Sequence, residues 1–202
     1  MAVEGDPAAQ QALRFAVYHL SSAANPADER VSIGARALTG DDYHGHVFWD
    51  TEIFLLPFFT LTWPEAARTL LMYRFHTLGG ARDKAVRMGF RGAMYAWESA
   101  DTGAEMTPDQ VIGPDRRVIA VLCGRLEQHI SADVAYAVWQ YWHATGDDGF
   151  LLEAGAEICN YSPPIFPYGG IMTGFPAKAL DIAWSAVRPY RRPVAMTDAA
   201  AA

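Results

Sequence analysis

The sequence predicts an all-α fold. Apolar residues recur at three- and four-residue spacing in several separate segments. Proline, glycine and asparagine stop signals divide those segments, and no stretch shows the two-residue alternation of a half-buried strand. Hydrophobic residues make up 51% of the 202 and charged residues 19%, enough to bury a core in one domain rather than remain disordered.

The first helix is expected over Gln11 to Ala24, where Leu13, Ala16, Val17 and Leu20 share a face and Asn25-Pro26 ends the run. Val31 to Tyr43 reads as a glycine-containing loop. From about Val47 to Leu61 nearly every position is apolar except Asp50, Thr51 and Glu52, the pattern of a helix surrounded by protein, and Pro57 should kink or shorten it. Thr62-Trp63-Pro64-Glu65 has the spacing of a capping box and opens a helix to about Phe75, with Ala67, Leu70, Leu71 and Arg74 along adjoining rows.

A shorter helix is expected from Ala81 to Met88, closed by Gly89. Phe90 to Cys123 is rich in Gly, Asp and Pro and reads as one long loop, a length that is usually functional. Ile130 to Ala144 is a strong helix, with Ile130, Val134, Ala137, Val138 and Tyr141 on one face and Gly146 as its end. Asp147 or Asp148 caps another that starts near Phe150.

Residues 1–10 form an N-terminal extension and 11–158 the helical domain. The remainder, 159–202, differs in kind. It holds six of the 12 prolines, and its 2 acidic and 4 basic side chains reverse the charge of 1–158, which carry 21 and 12. Ser162-Pro163-Pro164 and Pro167 break the helix begun near Phe150. This tail reads as disordered, or as foreign to the domain, as a shift of reading frame near Cys159 would make it.

The net charge of -7 argues against a nucleic-acid partner, whose phosphates need a basic footprint. The longest apolar run, Ile53 to Leu61, is too short to span a membrane, and the first ten residues lack the regions of a secretion signal. A cytoplasmic location follows. Cys123 and Cys159 have neither disulfide-scaffold nor metal-ligand spacing, and His44-x-His46 lacks a third ligand at a telling distance, so no metal is expected. No phosphate-cradling glycine loop or Gly-x-Ser-x-Gly elbow occurs.

The stretch Gly45-His46-Val47-Phe48-Trp49-Asp50-Thr51-Glu52 carries the clearest chemistry. A flat ring packs against the C–H face of a pyranose, and a carboxylate accepts bonds from two hydroxyls. Trp97, Glu98 and Asp101 repeat the aromatic-plus-acid combination within the long loop, where they form either a pocket wall or a solvated loop around one buried indole. His129, at the start of a helix, bonds backbone or a carboxylate, or joins that wall.

Four blocks together resemble glycoside hydrolase family 65, which contains the maltose, trehalose and kojibiose phosphorylases. They are Gly45 to Glu52; Pro64-Glu-Ala-Ala-Arg68 with Tyr73-Arg74; Tyr95-Ala-Trp-Glu-Ser-Ala-Asp-Thr-Gly103; and Gln128-His-Ile-Ser-Ala-Asp-Val-Ala-Tyr136. The resemblance runs from about Leu13 to Ile158. It implies a catalytic (α/α)6 toroid of which this chain holds about half the ring at ordinary helix lengths. It implies inverting phosphorolysis, or hydrolysis, of an α-linked glucose disaccharide, in which a carboxylic acid protonates the glycosidic oxygen while phosphate attacks the anomeric carbon. Phosphate is then a co-substrate, no cofactor is required, and the full-length enzymes are possible homodimers.

By the same resemblance Trp49 and Asp50 are substrate-binding residues, with Trp97, Glu98, Asp101 and His129 as pocket wall. The family's general acid lies in a Gly-Pro-Asp-Glu-like motif after the Ile-Ser-Ala-Asp-Val helix. Here Gly113-Pro114-Asp115 precedes that helix and Arg116 replaces the acid, so no catalytic residue is assigned and this chain alone is expected to be inactive. The alternatives are a non-catalytic sugar-binding or interaction module, a truncated product without function, and a compact glycosidase that uses desolvated Glu98 or Asp101 as its acid.

Overall fold

The computed structural model describes residues 2–40 and 42–160; the expectation for 159–202 falls, from residue 161, outside the described residues. Helices dominate, accompanied by two small antiparallel ribbons.

Helix α1 spans Pro7–Ala23 and starts before the expected Gln11. The Asp6 carboxylate accepts from the N–H groups of Ala8 and Ala9, each at 3.0 Å, and Pro7 stands in the first turn, where its missing N–H costs nothing. The expected apolar face does not become core: α1 contributes no buried residue, and Phe15, Val17 and Tyr18 are exposed.

Val47 does not open a helix. Strand β1 (Val47–Phe48) pairs with β2 (Glu98–Ser99), Val47 opposite Ser99 and Phe48 opposite Glu98. The chain then enters a wide π-type turn over Thr51–Leu55, which runs into α2 (Leu56–Thr62). Pro57 causes no break inside a long helix, because the wide turn delivers it to the first turn of α2. The expected capping box is absent. Thr62 is the last residue of α2 and its hydroxyl donates back to Phe58 O at 2.6 Å, so Trp63 stands at the N-cap of α3 (Pro64–His76) without a side-chain bond.

Helix α4 runs over Leu78–Arg87. The following stretch is not one long loop. Besides β2 it contains the hairpin β3 (Gln110–Ile112) and β4 (Val118–Ala120), then the short α5 (Cys123–Leu126). Three-residue strands are too short to show an alternation in sequence. Gly113 to Arg116 forms the hairpin turn, with Arg116 in the left-handed region at φ 62° and Arg117 donating its N–H to Asp115 at 3.1 Å. Helix α6 (Ile130–Thr145) lies where its periodicity places it and ends on left-handed Gly146. Asp147 accepts from Phe150 N at 2.9 Å to cap α7 (Asp148–Phe150), and a second wide turn over Leu151–Gly155 leads into α8 (Ala156–Asn160).

Helix α2 packs on α3, both pack on α6, and α6 packs on α8. Phe59, Leu70, Leu71, Ile130, Val134, Val138 and Ile158 meet there as one core. No described helix is long and apolar enough to cross a membrane.

Inside this core lies one bidentate ion pair. Arg74 of α3 donates from Nε and Nη2 to the two Glu52 oxygens, each at 2.7 Å, with both side chains at most 1% exposed. Nη2 also donates to Phe48 O at 3.0 Å, and Nη1 reaches Ser99 Oγ at 3.4 Å. Arg68, nearer the surface, bridges Glu29 and Glu153 at 2.7 and 2.5 Å.

Glu52→Gln leaves the buried guanidinium without its countercharge and is expected to cost roughly 3–5 kcal/mol. Arg68→Ala, which breaks partly solvated pairs, is expected to cost about 1 kcal/mol or less. Urea midpoints of the two variants against the parent chain check the contrast.

Candidate functional site

The β1–β2 ladder decides what faces what. Val47 opposite Ser99 and Phe48 opposite Glu98 bring Trp49 and Trp97 side by side one step further along the register. Both indoles line a cleft of about 520 Å³ together with Phe48, Asp50, Tyr43, Arg36 and Glu127. The cleft therefore gathers three of the sequence-derived candidates, Trp49, Asp50 and Trp97.

Trp49 is partly buried, edge-on to His129 with ring centres 4.8 Å apart and tilted against Phe54 at 5.8 Å. Trp97 stands edge-on to Phe48 at 4.9 Å and donates its Nε1–H to Glu127 Oε2 at 2.9 Å. Asp50, the last residue before the wide turn, is exposed and makes no capping bond. An indole flank beside an uncommitted carboxylate suits a ligand with an apolar ring face and several hydroxyl donors.

The other candidates lie elsewhere. Glu98 is buried and lies within 2.7 Å of His46 Nδ1, off the cleft lining, which differs from the expected wall position. Asp101 occupies an exposed turn and does not line the cleft either. Glu98 is drawn to His46 instead, and Asp101 lies past the end of β2. His129, expected as wall, is not a lining residue; it packs edge-on against Trp49 and is bonded through Nδ1 to Asp133. His44 and His46 are ring neighbours, yet among the described residues no group of three potential ligands could hold a metal.

Glu105 holds the Trp97 segment and was not among the residues singled out from sequence. Its Oε2 accepts from Trp97 N at 3.1 Å and from Lys84 Nζ at 2.5 Å. Its Oε1 accepts from Glu98 N at 3.2 Å and from the Thr107 hydroxyl at 2.6 Å. Burial pushes this carboxyl up, but the bonds from Lys84 and Thr107 outweigh it and hold Glu105 below its usual range. The turn before it requires glycine: Gly103 is left-handed at φ 71° and sits against Thr77, whose backbone a Cβ would strike. From α3, Tyr73 donates to Ala100 O at 2.7 Å, fixing the end of β2. Arg36, Tyr43 and Glu127 also escaped the sequence reading. Tyr43 and His44 are consecutive left-handed residues in the turn Asp42–Gly45, a geometry with no periodic signature.

Residues 14–160 match the family model described as the glycosyl hydrolase family 65 central catalytic domain. The chain is 55% identical over 156 residues to a kojibiose phosphorylase from Caldanaerobacter subterraneus subsp. tengcongensis, covering 77% of this chain and 20% of that one. It is 45% identical over 156 residues to a kojibiose hydrolase from Flavobacterium johnsoniae, covering 77% and 21%. Among solved structures it resembles a human-microbiome protein assigned as a kojibiose phosphorylase, with a TM-score of 0.66, 29% identity, and coverage of 80% of this chain and 20% of the other. The chain thus spans about a fifth of the length of these relatives. The mostly helical architecture is part of an (α/α)6 toroid.

Because the Glu105 carboxyl is held low in the folded chain, its stabilisation is fully present above the ordinary carboxylate value and is lost as pH falls through the folded one. Glu105→Gln is expected to lower stability by about 1–3 kcal/mol at neutral pH. The gap from the parent should narrow below about pH 4. Urea midpoints at pH 7 and pH 3 test this, and an unchanged gap contradicts the assignment.

Proposed function

The chain belongs to glycosyl hydrolase family 65, and from that membership we propose that its described residues form part of the glucosyl-binding wall of an enzyme that cleaves an α-linked glucose disaccharide. The convergence of Trp49, Asp50 and Trp97 on one cleft carries this reading. Asp50 accepts bonds from hydroxyls of the glucosyl unit being transferred, and Trp49 packs against the C–H face of its ring. Such contacts hold the anomeric carbon in place for attack and exclude alternative poses.

The reaction in the whole enzyme is inverting. A carboxylic acid protonates the glycosidic oxygen, the bond to the leaving sugar breaks, and inorganic phosphate, or water in a hydrolase, attacks from the opposite face. With phosphate the products are β-glucose 1-phosphate and a free sugar. Relatives named as phosphorylase and as hydrolase both match this segment, which supports a role in recognising the glucosyl unit that both reactions require. No cofactor is needed for this chemistry.

The described residues do not furnish the acid. Among the described residues the cleft lining holds two carboxylates, Asp50 and Glu127, and neither stands in the Gly-Pro-Asp-Glu-like motif of the family's general acid. Glu98 pairs with His46 away from the cleft. The proton donor and the phosphate site therefore belong outside the described residues, which by themselves bind sugar without turnover.

Calorimetry with kojibiose, in parallel with an assay for glucose 1-phosphate in the presence of phosphate, tests this division. Expected are saturable heat, no product, and affinity on the order of tenfold weaker or more in Asp50→Asn. Phosphate-dependent product from the purified chain would place the acid among these residues after all. Equal heats for the parent and Asp50→Asn would remove the sugar-binding role.

A further inference from the structure

Glu127 has no role in the reading of the sequence, yet its surroundings are those of an oriented ligand-binding group. It follows α5, lines the cleft, and directs Oε2 at two ring systems. Trp97 Nε1 donates to that oxygen at 2.9 Å, and His129 Nε2 lies 3.4 Å from it. His129 is itself bonded through Nδ1 to Asp133, one turn into α6, and its ring stands edge-on to Trp49. One carboxylate is thus tied, directly or through one histidine, to both indoles of the cleft.

Both of these contacts use Oε2, so Oε1 remains for the cleft. Anchoring one oxygen removes rotamers of the side chain before any ligand arrives, which lowers the entropy lost on binding. The cleft then presents two carboxylates, Asp50 and Glu127, while its cation Arg36 is engaged by Asp42 at 2.7 Å. That charge arrangement favours a neutral ligand rich in hydroxyl donors over an anionic one.

We propose that Glu127 is a second sugar-binding carboxylate, whose Oε1 accepts a hydroxyl of the pyranose in the Trp49–Trp97 cleft while Trp97 and the Asp133–His129 pair hold Oε2. His129 and Asp133 are positioning residues that act through Glu127. The assignment rests on the sugar-binding reading of the cleft and adds to it a residue that no sequence motif marks, together with a positioning role for His129 and Asp133.

The test titrates D-glucose into the 202-residue chain and follows the indole N–H resonances by NMR, in the parent and in Asp50→Asn, Glu127→Gln and Glu127→Ala. Glu127→Gln keeps an oxygen able to accept from Trp97 but loses the charge. It is expected to weaken glucose binding roughly 10-fold or more while the sugar-free spectrum stays close to the parent's. Glu127→Ala should weaken binding at least as much and also move the Trp97 indole resonance before sugar is added. If both Glu127 variants bind as the parent does while Asp50→Asn is weakened, the Glu127 assignment falls and the sugar cleft stands. If the parent itself shows no saturable shift, the cleft reading and this assignment fall together.

Discussion

The bidentate bond between Arg74 and Glu52 is the constraint on which the cleft depends. Two charges nearly free of solvent contact are tolerable only when each satisfies the other, and the guanidinium does so with two parallel bonds of 2.7 Å. Its remaining donors reach the Phe48 carbonyl and Ser99, one on each strand of the ladder. A single side chain from α3 therefore fastens the wide turn, β1 and β2 to the helical core. A two-residue ladder needs such support, since isolated ribbons of that length have marginal stability.

From that anchor the aromatic wall follows by register. Trp49 leaves β1 and Trp97 enters β2, so the ladder that pairs Phe48 with Glu98 carries the two indoles to adjacent places. Glu105 bonds the backbone on the Trp97 side, and Tyr73 closes the far end. Asp50 is exposed and makes no capping bond, while Glu52, two residues on, takes the buried charge pairing. Within one octad the two carboxylates divide into a buried structural member and one that lines the cleft.

Much of the helical layout was readable. Helix α6 has the apolar period, the left-handed glycine and the aspartate that begins the next segment, all local signals. The family resemblance was equally readable because it rests on residue identities in order, and the match over 14–160 covers nearly the same span. The errors have local physical causes. Val47–Phe48 looked helical because two apolar residues carry no period of their own, and their partner lies about fifty residues away. Thr62 looked like a cap because its spacing to Glu65 is right, but its hydroxyl was already committed to α2. The amphipathic face of α1 was legible, whereas its exposure among the described residues was not.

Residue identities along the chain determined the helical class, the family and the presence of an indole-carboxylate pair at Trp49 and Asp50, since these depend on neighbours in sequence. Which acids face the cleft was settled only by tertiary contacts. Glu98 turned inward to His46, Glu52 to Arg74, and Glu127, unmarked by any motif, came to stand beside Trp97. A carboxylate's role depends on the charges and donors brought to it across the fold, and pairing over twenty to fifty residues leaves no trace in local spacing.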